Sequence, residues 1–232
     1  MSMTRPTTYC TYCGKPNPET VDHIPPAGLF PKPRPSNLIT VPSCTDCNAG
    51  ASIDDEYLKI WLLLRHDISE RRPGSTLRDS VFRALAKPRK RRMLNMLLGS
   101  MRRVAVHTPG GLFVGQVATY HVDLARFGKV ADRTVKGLFF HHYERRLPET
   151  HDVRSYAESG LREINPTTQV SLSHLITSLR SRPSRKIGDR VFEYWFQATP
   201  EDPNSTAWLL RFYDSESFLC LTAPADGQVP AA

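Results

Sequence analysis

Three features of the sequence predict an α+β fold: two cysteine pairs in a turn-rich first 50 residues, a basic stretch of helical character after them, and short strand-like runs in the second half. The expected order is a small cysteine-stapled unit over residues 1–70, a basic helical segment over 71–104, and a mixed α/β module with an antiparallel hairpin over 105–232. A boundary near residue 105 divides the last two.

The elements follow in chain order. Residues 1–50 carry Pro16, Pro18, Pro25, Pro26, Pro31, Pro33, Pro35 and Pro42, which suits a compact unit with little regular structure. Ser52 can cap a helix, Asp55 sits three residues on, and Tyr57 to Arg65 is strongly helical in type. Trp61, Leu58, Leu62 and Leu64 are its core face. Pro73-Gly74 breaks the chain. Thr76 to Ala86 and Pro88 to Arg103 read as one or two basic helices. Leu112 to Val122, after Pro109-Gly110-Gly111, is strand-like. Leu124, Phe127, Ala131, Val135, Leu138 and His142 recur at 3–4 residue spacing, so 123–146 predicts an amphipathic helix. Residues 190–198 and 207–222 predict two strands joined by a polar loop, with Phe192, Tyr194, Trp195 and Phe196 as core.

Charge is unevenly spread. The chain is +8 overall, yet residues 71–103 hold eleven Lys/Arg against the single acid Asp79. That block is the footprint of a protein that binds phosphate backbones, here DNA, with Arg89, Lys90, Arg91 and Arg92 at its centre. A solvated helical surface is the plainer alternative. Lys32 and Arg34, in the Pro-rich loop, are further candidates for phosphate contact. Arg65 and His66 read as helix-terminal cations. No apolar run approaches the ~18–20 residues of a membrane helix, and Met1 to Pro6 lacks an apolar signal region. A soluble cytoplasmic protein, without membrane partners, is expected.

Four of the five cysteines form pairs, Cys10/Cys13 and Cys44/Cys47, with 30 residues between Cys13 and Cys44. Two CxxC pairs fit a tetrahedral structural zinc. An odd cysteine count of this kind argues against a disulfide framework. A redox dithiol would not need the second pair; an iron–sulfur cluster is the other alternative. Gly14 permits the tight turn that brings amides to the sulfurs. The second pair should open a helix, whose N-terminus favours thiolates. With all four ligands from protein, that metal leaves no open position, so chemistry belongs elsewhere. Cys220 reads as a buried thiol, and His141-His142, on different faces of one helix, as no metal pair.

Between the cysteine pairs lies Asp22-His23-Ile24-Pro25-Pro26. Asn37 stands 14 residues after His23, and Asn48 directly follows Cys47. An imidazole titrates near ~6.5, so His23 can act as general base. Asp22 offers a hard anionic oxygen to Mg²⁺ or Mn²⁺, and Asn48 a neutral carbonyl oxygen. The metal-pinned Cys47 fixes the place of Asn48. Asn37 is expected to tie the 24–36 loop to the backbone and to orient His23. Adjacent strand residues point to opposite faces, so Asp22 and His23 can share a phosphate only if the backbone bends or Asp22 reaches round the edge.

Taken together, these residues resemble the four-cysteine branch of the HNH (ββα-metal) endonucleases, which includes phage Holliday-junction resolvases and some restriction enzymes. The letters of the motif fall on His23, Asn37 and Asn48. The resemblance spans roughly residues 10–52, under a fifth of the chain. It implies a ββα-metal module, an Asp-His pair on a strand between the cysteine pairs, and Mg²⁺- or Mn²⁺-dependent DNA hydrolysis leaving 5′-phosphate and 3′-hydroxyl ends. Catalytic roles then fall on Asp22, His23, Asn37 and Asn48, with Asp22 and Asn48 on the metal. Defence against foreign DNA is a setting borrowed from the family. The alternatives are a non-catalytic zinc module that binds nucleic acid or protein, and a nuclease subunit silent until a partner engages its C-terminal half. A symmetric double-strand cut needs two sites, so a homodimer is a further expectation.

Overall fold

A computed structural model describes residues 9–69 and 72–225, save the side chains of His66, Ser69 and Arg89. The chain runs β1 (Thr20–Ile24), β2 (Ile39–Ser43), α1 (Thr45–Gly50), α2 (Ser52–Leu64), α3 (His66–Ser69), α4 (Gly74–Leu85) and α5 (Arg91–Ser100). It continues through β3 (Met101–His107), β4 (Phe113–Tyr120), α6 (Leu124–Tyr143), β5 (His151–Ala157), α7 (Pro166–Arg180), β6 (Arg185–Ile187), β7 (Phe192–Ala198), β8 (Thr206–Phe212) and β9 (Glu216–Pro224). The fold is mixed α plus β with antiparallel sheets. β1 pairs with β2, β3 pairs with β4, and five strands form a sheet in the order β5-β9-β8-β7-β6. No helix among the described residues is long and apolar enough to cross a membrane.

The central helix is α6. Asp123 caps it, its carboxylate accepting the Ala125 N–H at 3.1 Å. Its apolar stripe buries Phe127, Ala131, Val135 and Leu138, as the spacing predicts, whereas Leu124 stays exposed. One face meets the five-stranded sheet, and the other meets α2 and the β1–β2 hairpin. The crossing over β1 is tight. A Cβ at Gly137 would lie 2.5 Å from Ile24 Cδ1, so only glycine lets the helix sit this close. Side chains such as Ile24, Leu62, Leu138, Phe139 and Trp208 share one core cluster. Burial of each such side chain contributes about 1.5–3 kcal/mol. On the far face of the sheet, α7 buries Leu172, Ile176 and Leu179 against Trp195, Leu209 and Leu219. Arg65, at the end of α2, pairs with Glu216 at 2.6 Å and so ties the helical half to β9.

Several expectations change. The boundary expected near residue 105 falls inside β3, and the continuous core joins the first 70 residues to the last 40. Residues 101–103 are strand, not helix; α5 ends at Ser100 and the following Arg-Arg-Val-Ala-Val run pairs with β4. The strand expected over 207–222 is two strands, because Tyr213 and Asp214 adopt left-handed φ of 53° and 54° and turn the chain. Ser52 begins α2 but does not cap it. Its hydroxyl donates to the Ala49 carbonyl at 2.9 Å, and Ala51 holds the cap position. β5, β6 and α7 were not expected from the sequence. In contrast to this packed sheet, every residue of β3 is exposed, and the β3–β4 ribbon stands out from the body.

Candidate functional site

The N-terminal site is built on the β1–β2 hairpin and α1. The four cysteine sulfurs lie within 4.8 Å of one another and could hold a metal ion such as zinc. Cys13 and Cys44 sulfurs are 3.7 Å apart. Gly14 takes a left-handed φ of 73°, closing the first knuckle. The Cys44 amide donates to Cys10 Sγ at 3.3 Å. Cys44 holds the N-cap position of α1 and Cys47 lies in its first turn, as the spacing predicts. Burial opposes ionisation of Cys10, but amide hydrogen bonds from Cys13, Cys44 and Tyr12 outweigh it and lower the thiol to about 6. Cys47 is pushed up, by burial first and then by the neighbouring thiols. A set that pairs the ready thiolate of Cys10 with the resisting thiol of Cys47 suits a dication, which would remove the repulsion between their charged forms.

Beside this cluster lies a cavity of about 270 Å³, lined by Asp22 and His23 of β1, Asn48 of α1, Ser52, Asp55, Glu56 and Lys59 of α2, and the 26–28 turn. The structure therefore brings Asp22, His23 and Asn48 to one wall. Asp22 reaches it from the buried face of β1, at 8% exposure, and His23 from the opposite face. The imidazole of His23 has no hydrogen-bond partner among the described residues. Asn48 Nδ2 donates to Val21 O at 3.1 Å and to Thr20 Oγ1 at 3.2 Å. A carbonyl only accepts, so the amide orientation is fixed and Asn48 Oδ1 is the atom left over. Asp22 Oδ1 accepts only the His23 backbone N–H, at 2.8 Å.

The other carboxylate oxygen is engaged. Arg133 of α6 donates Nε to Asp22 Oδ2 at 2.8 Å, and Nη2 lies 2.7 Å from the same oxygen without hydrogen-bond alignment. The Tyr12 hydroxyl donates to that oxygen as well, and burial and the nearby carboxylate push its pKa up. The guanidinium lies over the Tyr12 ring at 4.6 Å and bonds the Cys47 carbonyl. Arg133 thus links α6, β1 and the second cysteine knuckle. Nothing in the sequence near residue 133 marks it, since the partner is 111 residues away.

Asp55 was read from sequence only as part of a helix start. It lines the cavity, its Oδ1 is buried without a partner, and burial raises its carboxyl to about 6. Glu56 accepts from Lys90, which brings the basic segment to the cavity rim. Burial lowers the Lys59 ammonium. For a hard dication the fit is partial. Asp22 and Asn48 supply two oxygens, which is enough for Mg²⁺ with waters. Arg133 already balances one of the negative charges. Among the described residues the cysteines are the one group of three or more His, Cys, Asp or Glu whose ligand atoms converge.

Asn37 lies elsewhere. Its Nδ2 donates to the Lys186 carbonyl at 2.9 Å, and its Oδ1 accepts the Gly188 N–H at 3.3 Å. The expected orienting contact to His23 is replaced by a staple to β6, because the loop before β2 is covered by the C-terminal sheet. Lys32, Arg34, Arg91 and Arg92 are exposed, consistent with solvated cations; the Arg89 side chain lies outside the described residues. Of the remaining candidates, His142 stacks on Phe196 at 4.4 Å and bonds the Tyr194 hydroxyl, and Cys220 is fully buried. No family model matches the chain, and no curated protein and no solved structure matches it.

Proposed function

We propose that this protein is a metal-dependent endonuclease of the HNH type that hydrolyses DNA phosphodiester bonds in the cavity at Asp22, His23 and Asn48. One observation carries the reading: an unpartnered imidazole, a free amide oxygen and a carboxylate share one small wall that the four-cysteine cluster braces. Zinc at the cysteines is structural in this reading. Mg²⁺ or Mn²⁺ would be held by Asp22 and Asn48, and when bound it supplies positive charge to the scissile phosphate and the leaving oxygen.

The chain's own residues do the rest. His23 takes the proton from the attacking water; its freedom from other partners leaves a ring nitrogen for that task. Asn48 is held by its two donor bonds to β1, so its oxygen keeps one position through the reaction. Arg133 and Tyr12 fix the Asp22 carboxylate. Lys59 and Lys90 lie where a phosphate chain would enter. The exposed cations of α4 and α5 hold the backbone by charge and read no bases.

Plasmid cleavage is the test. Purified protein should cut with Mg²⁺ or Mn²⁺ and not without them. His23→Ala should lower the rate by about 100-fold or more while zinc content and circular dichroism stay unchanged. A second reading, a non-catalytic zinc module, is favoured by the pairing of Asp22 with Arg133, which gives that carboxylate a structural role. No cutting by the wild type on supercoiled, linear, branched and single-stranded DNA would decide for it. Cutting that appears only with a bound protein would point to a partner-activated subunit.

A further inference from the structure

A second and larger cavity, about 570 Å³, opens on the other strand of the same hairpin. It is lined by Asn37, Leu38, Ile39 and Thr40 at the start of β2, His141 and Tyr194, and by Arg185, Lys186 and Ile187 of β6. Thr40 is the register partner of His23. Directly opposed residues of an antiparallel pair project from the same face. The groove therefore ends one strand away from the imidazole.

Its rim is basic. Arg185 is exposed, has no carboxylate partner among the described residues, and is held over the Phe196 ring at 4.9 Å. Lys186, the next residue along β6, projects to the opposite face, where Glu193 stands across from it with its carboxylate 3.8 Å away, so Arg185 is the cation of β6 that faces the groove. The Pro-rich loop with Lys32 and Arg34 packs against the same segment. A Cβ at Gly188 would lie 3.0 Å from Phe30 and 3.4 Å from Pro35. The two Asn37 bonds fix the backbone that carries Arg185 and Lys186. Arg185 thus stands, stacked on a ring and carried on a fixed backbone, over a groove whose β2 wall pairs with the strand of His23.

We infer that this groove, with Arg185 as its principal contact, binds the phosphate backbone of the DNA strand leading out of the cavity. The inference extends the nuclease reading and takes its strand direction from it. The strand would cross the hairpin between the groove and the lysines Lys59 of α2 and Lys90 just before α5. The 71–103 segment is then one of two electrostatic contacts and not the whole footprint.

The experiment is fluorescence-anisotropy binding of a labelled 30-nucleotide DNA, single-stranded and as a duplex, in Mg²⁺-free buffer across salt concentrations. Arg185→Glu should weaken binding several-fold at physiological salt, and the loss of one phosphate contact should lower the salt slope by roughly 0.9. Arg185→Gln gives the same direction without charge reversal and serves if the first variant fails to fold, as judged by zinc content and circular dichroism. Unchanged affinity and slope in the folded variant overturn the inference. So does a wild type that binds neither DNA. Cleavage separates the two proposals. If the wild type cuts and the variant cuts with the same KM, the groove is wrong and the nuclease stands. If nothing cuts but the variant loses binding, the groove stands without the nuclease.

Discussion

At the scale of single residues, the site depends on two side chains whose chemistry is set by burial. Arg133 and Asp22 form a pair with side chains only 12% and 10% exposed. Removing the cation leaves an uncompensated buried charge, and breaking such a pair costs about 3–5 kcal/mol. Arg133→Met should therefore lower thermal stability steeply, while the same change at exposed Arg91 should leave it within about 0.5 kcal/mol. Calorimetry of both variants is the check, and equal melting temperatures would remove Arg133 from the framework of the site. Asp55 behaves in the opposite sense. Its carboxyl is raised from 3.8 to about 6 by desolvation. A raised acid pKa means the folded state resists ionisation. The cost is absent below pH ~4, grows as pH rises towards ~6, and is complete above it. Asp55→Asn should accordingly stabilise the protein by about 3 kcal/mol at pH 8 and by well under 1 kcal/mol at about pH 4. Denaturant titrations at the two pH values, without added divalent ion, test this. A difference that does not change with pH would show that desolvation is not what strains Asp55.

Elements differed in how plainly the sequence announced them. α2 and α6 were legible because their apolar residues recur at helical spacing and one face of each meets the core. The cysteine knuckles were legible because spacing alone brings four sulfurs together. The five-stranded sheet was only half read. β8 and β9 are covered on both faces, by α6 on one side and α7 on the other, so their alternation vanishes into continuous apolar runs. The two strands merged into one because the turn between them, Tyr213 to Ser215, has neither glycine nor proline. α7 was missed for the opposite reason. Its sequence is polar and Ser/Thr-rich, with only three buried residues. One signal was present: Asn165 followed by Pro166, a cap residue and a proline at the first helical position, with Asn165 accepting the Thr168 N–H at 2.9 Å. β3 took the wrong class because its arginines extend the basic run of α5.

On the scale of the whole molecule, the site is assembled from both ends of the chain. Asp22, His23 and Asn48 were readable as a constellation since they lie between and beside the cysteines. The partner that fixes Asp22 was not, nor was the one that holds Asn37, because Arg133 and Lys186 belong to α6 and β6 and no local pattern announces a contact across more than a hundred residues. This division makes the metal's contribution measurable. Structural zinc supplies apparent folding free energy of about 10–16 kcal/mol in small zinc peptides; here the core beneath the hairpin shares the task. Chelation, or Cys47→Ser, should abolish cleavage and lower the melting temperature, while the far-ultraviolet signal of the five-stranded sheet persists. Full activity and unchanged melting after verified metal loss would show that the cysteine cluster does not brace the cavity.

The bond from Asn37 to the Lys186 carbonyl also has a consequence for synthesis. A ribosome delivers all four cysteines well over a hundred residues before β6, so a nascent chain could capture an ion there while the rest is still being made. The groove beside His23 has no second wall until residue 186 has been made and has left the exit tunnel. Until then, on the proposed nuclease reading, His23 stands on a hairpin with only the 71–103 cations to draw a nucleic acid towards it.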